Sequence, residues 1–129
     1  MPGTIITLPQ TDNCTLCLRF TGAVTKQDHY DAMVVPGKAI IERNGFYNLV
    51  IEYAPDYKGL MPDAADQRFR LISDWGKYGC RVAYVNPSAR LVFMTKLARV
   101  LLGKADVRFF ATNDLDEAIA WAKAGRPGA

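Results

Sequence analysis

Asp106-Val-Arg-Phe-Phe-Ala111 runs directly into Thr112-Asn-Asp-Leu-Asp-Glu-Ala-Ile-Ala-Trp-Ala-Lys-Ala-Gly125, and the reading of this stretch decides the fold. The β-prone run from Val107 to Ala111 predicts a strand. The segment from Asp114 to Lys123 predicts an amphipathic helix, with acids in its first turn and a lysine in its last, as the helix dipole favours. Working outward toward the N-terminus, the same strand-then-helix grammar recurs. Val82 to Val85 predicts a strand, and Asn86-Pro-Ser88 caps a helix that runs to about Leu102. Leu49-Val-Ile-Glu-Tyr-Ala54 is a compact apolar run of the kind a parallel strand shows when both its faces are covered. Pro55 to Met61 reads as a loop, and Pro62 as the first residue of a helix. That helix is expected to bury Ala65, Phe69, Ile72 and Trp75 or Gly76 along one face.

The N-terminal part differs. Ile5–Leu8 and Cys14–Thr21 are β-prone runs separated by the turn-rich Pro9-Gln-Thr-Asp-Asn13, which predicts a hairpin and hence an antiparallel first strand. Thr25-Lys-Gln-Asp28 has capping-box spacing with Asp in the final position. The helix it opens carries Tyr30, Met33, Val34, Ile40 and Ile41 and stops at Asn44-Gly45. Pro36-Gly37 interrupts that pattern, as a kink or as a break between two short helices. The alternation predicts an α/β layer fold with right-handed crossovers.

The totals narrow the function classes. With 129 residues, half of them hydrophobic, the chain is long enough to bury the core of one domain. We expect that domain to span residues 1–125, followed by a frayed tail at 126–129. A net charge of +3 gives no reason to expect nucleic acid as partner. The basic residues are scattered, and neither a Gly-rich phosphate loop nor a stacked aromatic platform is present. No stretch approaches the length of a transmembrane helix, and the N-terminus lacks the pattern of a signal peptide. The three cysteines form no disulfide framework, which together with the absent signal points to a cytoplasmic protein. Cys14 and Cys17 spell C-x-x-C, but residues three apart on a strand face opposite ways. With one histidine in the chain, no metal site is expected.

Leu18-Arg-Phe-Thr-Gly-Ala-Val-Thr-Lys-Gln-Asp-His-Tyr30, Leu49-Val-Ile-Glu-Tyr53 with Tyr57-Lys-Gly-Leu60, and the closing Val107-Arg-Phe-Phe110 and Asp114-Leu-Asp-Glu-Ala-Ile-Ala-Trp121, taken in order, resemble the SpoIIAA-like family. These are small bacterial α/β proteins, also described as STAS-like and related to CRAL-TRIO domains. The resemblance covers nearly the whole chain. It implies a superhelix of βα units, a mixed sheet with an antiparallel first strand, and helices packed on the sheet. It implies no enzymatic activity. Anti-sigma-factor antagonists of this fold carry a phosphorylatable serine at the start of the helix after the third strand. The corresponding Gly59-Leu-Met-Pro-Asp-Ala-Ala-Asp66 holds neither Ser nor Thr, so no phosphorylation site is expected.

Ligands of parallel α/β sheets collect beyond the carboxyl ends of the strands. Asp28, Asp63, Asp114 and Asp116 sit early in their helices and discourage an anion there. Asn86-Pro-Ser-Ala-Arg90 is the anion-friendly helix start, although ordinary capping by Asn86 or Ser88 explains the same residues. Glu52, near the end of its strand, is costly to bury unpaired. It holds a ligand, accepts from the Pro55–Leu60 loop, or pairs with Arg81 or Arg19. A small-molecule site would therefore comprise Glu52, Tyr57, Asn86, Ser88 and Arg90. No Ser, Cys or His joins Glu52 in a nucleophile–base set, so no catalytic residue and no cofactor is assigned.

The helix after Ser88 is apolar around most of its circumference, with Thr95, Lys96 and Arg99 as a narrow polar stripe and no acid from Ala89 to Ala105. Such a helix is wedged between the sheet and its neighbours, or is covered by a second subunit, an apolar ligand or an anionic membrane surface. Phe93, Leu97 and Leu101 are the candidate interface. The expected function is a non-enzymatic binding domain for a protein partner or its own copy. The alternative is a carrier or sensor of a small apolar or lipid-like acidic ligand. A large pocket beneath this helix would favour the carrier, and a flat apolar patch on it the dimer.

Overall fold

The computed structural model describes residues 3–98 and 105–127. A short strand β1 (Ile5–Thr7) turns into β2 (Thr15–Phe20), and the two pair antiparallel, as the turn-rich Pro9–Asn13 requires. Three further strands, β4 (Tyr47–Tyr53), β6 (Gly79–Val85) and β7 (Asp106–Phe110), join β2 in parallel, giving the sheet order β1-β2-β4-β6-β7. Two-residue strands β3 (Ala23–Val24) and β5 (Gly59–Leu60), which follow β2 and β4 in the chain, form a separate parallel pair.

Each crossover is helical. The first contains α1 (Lys26–His29), a π-helical turn (Tyr30–Val34) and α2 (Val35–Asn44) in unbroken succession. The helical run continues through Pro36 without a break. A proline lacks an N–H and crowds the carbonyl four residues back, and the wider π turn just ahead of it absorbs that misfit. Thr25 caps the start, its Oγ1 accepting from the Asp28 N–H at 3.1 Å. The return half of the predicted capping box is not made. The Asp28 carboxylate instead accepts from Thr4 N at 2.9 Å and Thr4 Oγ1 at 2.8 Å, tying the helix to the first strand and holding its own pKa down. Gly45, at φ 78°, ends α2 in the left-handed conformation, and its N–H donates to Ile41 O.

The second crossover is α3 (Pro62–Trp75) and the third α4 (Ala89–Ala98). Because every parallel step moves the same way across the sheet, right-handed crossovers place these helices in one layer. Leu16, Leu18, Phe20, Leu49, Ile51, Val82, Tyr84 and Val107 point into it and meet Met33, Ile40 and Leu71. The opposite face, with Cys17, Val50, Ala83 and Val85, is covered by α5 (Leu115–Lys123) through Ala118, Ile119 and Ala122. Burial on both faces explains why these strands read as continuous apolar runs.

α3 is rotated from the expected face. Ala64 and Leu71 are buried, whereas Phe69 is 69% exposed. The inward stripe is Ala64, Arg68, Leu71 and Trp75: Trp75 lies on it as expected and Ile72 is half-buried beside it, whereas Ala65 and Phe69 face outward. Gly125, the last residue of the expected domain, is buried, and its carbonyl accepts from the buried Asn48 Nδ2 at 3.1 Å.

Candidate functional site

At the carboxyl ends of the strands, β2 and β4 place Arg19 directly beside Glu52 in register. The two form an ion pair, Arg19 Nε to Glu52 Oε1. Both belong to the sheet face that α5 covers, since Cys17 and Val50, two residues back on each strand, pack against α5. The pair lines a recess of about 320 Å³ together with Tyr53, Pro55, Asn86 and Thr112. Asn86 spans the strand ends. Its N–H donates to Phe110 O at 2.9 Å and its Nδ2 to Tyr53 O at 3.0 Å, with the backbone in the left-handed region at φ 59°. An asparagine tolerates that conformation better than most residues.

The predicted site residues do not all converge here. Glu52 and Asn86 line the recess. Tyr57 lies on the other face, in ring contact with Phe20 at 6.1 Å and Tyr53 at 4.9 Å, and burial raises its pKa. Ser88 caps α4, its Oγ accepting from Leu91 N at 3.1 Å. Arg90 is exposed on α4's first turn. The recess therefore holds a carboxylate neutralised by an arginine, with no Ser, Cys or His among its lining residues.

The cysteines are separate. Cys17 is fully buried under α5, and burial pushes its thiol up to about 11. Cys14 and Cys80 are half-buried elsewhere. Among the described residues no three His, Cys, Asp or Glu side chains gather in a metal-binding group. His29 is wholly enclosed. Its Nδ1 donates to Gln67 Oε1 at 2.6 Å while Nε2 has no partner, and burial lowers its pKa.

α4 presents the other candidate. None of its residues 89–97 is buried. Leu91, Val92 and Thr95 are half-buried, while Phe93 is 62%, Met94 54% and Leu97 63% exposed. Positions 90, 93, 94 and 97 follow three- and four-residue spacing, so Arg90, Phe93, Met94 and Leu97 share one outward face. Leu101, the third expected interface residue, lies outside the described residues, as does Arg99. The enclosed space between α3 and the sheet, bounded also by Ala105, is about 30 Å³, about the room of one or two waters. Phe69, in the same helical layer, was missed as a surface residue because its sequence stripe looked like a buried one.

A family model described as SpoIIAA-like matches residues 15–123. The chain belongs to the SpoIIAA-like family. Its fold is also that of the crystal structure of an uncharacterized DUF3478-family protein from Shewanella loihica PV-4, itself described as SpoIIAA-like. The TM-score is 0.62 at 22% identity, over 84% of this chain and 83% of that one. A search of curated proteins finds no match. Among the described residues, no helix of this SpoIIAA-like chain is long and apolar enough to cross a membrane.

Proposed function

We propose that this SpoIIAA-like chain is a non-enzymatic binding domain that associates with its own copy through the outward face of α4. The observation that carries this reading is the exposure of Phe93, Met94 and Leu97 on a helix of which none of residues 89–97 is buried. Single exposed apolar residues are ordinary, but three large ones on consecutive turns of one helix form a contiguous patch. Covering each such side chain is worth about 1.5–3 kcal/mol. A two-fold pairing of α4 with its copy buries the same patch on both partners at once.

Two features support the non-enzymatic part. Glu52, the carboxylate at the strand edge, is tied to Arg19, and His29, the chain's one histidine, is sealed in the core with no Ser or Cys among its hydrogen-bond partners. The space between α3 and the sheet, at about 30 Å³, is far below the roughly 300 Å³ at which ligand pockets begin, which counts against a lipid-like carrier site there.

Light scattering coupled to size exclusion tests the proposal. A concentration-dependent dimer is expected for the wild type, and a folded monomer for Phe93→Asp or Leu97→Asp. A wild type that stays monomeric at high micromolar concentration defeats it.

A further inference from the structure

The main sheet ends on one side at β7, which pairs with β6 alone among the described residues. In a parallel ladder the backbone groups of successive residues point to alternate sides. Asn86 N–H donates to Phe110 O at 2.9 Å and Val85 stands opposite Phe110, so Phe110 is bonded inward to β6. By that alternation Asp106 and Arg108 also bond inward, whereas Val107 and Phe109 turn their N–H and C=O groups away from the sheet. A row of such groups is a template for a further strand. Side chains alternate as well. Asp106 and Arg108 therefore stand on the face of Phe110, the α5 side, and both are exposed. Arg108 lies over the Trp121 ring at 4.8 Å. Among the described residues neither Asp106 nor Arg108 makes an ion pair.

Taking from the α4 face that the partner is a second copy, we infer that the β7 strands of two copies pair antiparallel across a two-fold axis, joining two five-stranded sheets into one of ten. Charge selects the register. An axis at Val107 makes Val107 and its copy the central hydrogen-bonded pair, and it sets Asp106 of each chain opposite Arg108 of the other. Those are the non-hydrogen-bonded positions, where facing side chains come closest. An axis at Asp106 or at Arg108 sets like charges opposite each other, and one at Phe109 leaves the arginine facing Phe110. The edge thus carries its own complement, which favours a copy of this chain over a foreign strand. A two-fold normal to the sheet keeps α4 and its copy in the same layer, on the same side of the joint. α4 is the crossover that feeds β7, so the apolar face and the open strand edge belong to one unit of the chain.

Charge reversal tests the joint. Asp106→Arg leaves arginine at both positions and Arg108→Asp leaves aspartate at both, so each variant alone opposes like charges across the axis. Each should weaken the dimer by about ten- to a hundredfold in sedimentation or light scattering. Circular dichroism should stay unchanged, because both side chains are exposed. An equimolar mixture of the two variants restores both charge pairs between unlike chains, and the heterodimer should appear in native mass spectrometry. Recovery in the mixture cannot arise within one chain. Wild type and Phe93→Asp are measured alongside. Charge variants that dimerise as the wild type does, or a mixture without heterodimer, overturn the strand joint and leave the α4 reading standing. Dimers kept by Phe93→Asp but lost in the charge variants support the joint and defeat the α4 reading. A monomeric wild type overturns both.

Discussion

Substituting Gly37 by alanine pits two effects of known size against each other. Gly37 lies within the helical run Lys26–Asn44, and glycine in a helix interior costs about 0.8–1.0 kcal/mol relative to alanine. Propensity alone therefore predicts that Gly37→Ala stabilises the protein by about 1 kcal/mol. The packing says otherwise. A Cβ on Gly37 would meet Trp75 Cη2 and Cζ3, each at 2.5 Å, where carbon atoms prefer about 3.5–4.0 Å. The indole is not free to step aside, because it packs edge-on against Tyr47 at 5.5 Å. Overpacking of this kind costs about 1–3 kcal/mol. The net expectation is a destabilisation of about 1 kcal/mol, or a Tm lower by about 4 °C. Urea unfolding followed by circular dichroism measures it without relying on Trp fluorescence. In a Trp75→Leu background the clash is removed, and Gly37→Ala should become stabilising by about 1 kcal/mol, a coupling typical of residues in direct contact. A wild-type background in which Gly37→Ala gains the full propensity increment would refute the packing argument.

Asn48 is wholly buried; its Oδ1 accepts from Arg81 N at 3.1 Å and its Nδ2 donates to Gly125 O at 3.1 Å. Asn48→Ala leaves both backbone groups without partners, and chemical denaturation should show a loss of about 3 kcal/mol. His29 is held neutral by burial, with Gln67 and Arg68 as its polar neighbours, so its folded pKa lies below the unfolded value of 6.5. The unfolded chain then binds the extra proton, and stability present above pH 6.5 falls as pH drops from there toward the folded pKa. Urea midpoints at pH 7.5 and at about 5.5 should differ in the wild type and converge in His29→Gln; equal midpoints in the wild type would count against the assignment.

Much of the fold was legible because its signals are local. The Pro9–Asn13 turn, the Thr25 and Ser88 caps and the Gly45 stop each act within a few residues, and the strands between them are apolar on both faces. The face of α3 was not legible. Stripes beginning at Ala64 and Ala65 differ by one residue and both contain large apolar side chains; tertiary packing chose the one that takes Arg68 in and turns Phe69 out. The helical run through Pro36 needed a π turn, which hydrophobic spacing does not encode. The pair β3 and β5 is too short to show periodicity. For the strand-edge site, the grouping of Glu52 with Tyr57 overlooked the sheet lying between them. Glu52 faces the α5 side with Arg19, while Tyr57 packs with Phe20 on the other. Asn48 carried one available cue, an amide just before the apolar run Leu49-Val-Ile51.

The unequal cover of the two sheet faces has a consequence for biosynthesis. One face is clothed by helices interleaved with the strands, so each βα unit can be shielded soon after it leaves the ribosome. The other face is clothed by α5, which follows every strand of the sheet in the chain. Until Leu115–Lys123 emerges, Cys17, Val50, Ala83 and Val85 remain bare to water and to chaperones. The nascent domain is thus half-dressed for nearly its whole translation, and a chain truncated after Ala111 keeps one sticky side of its sheet.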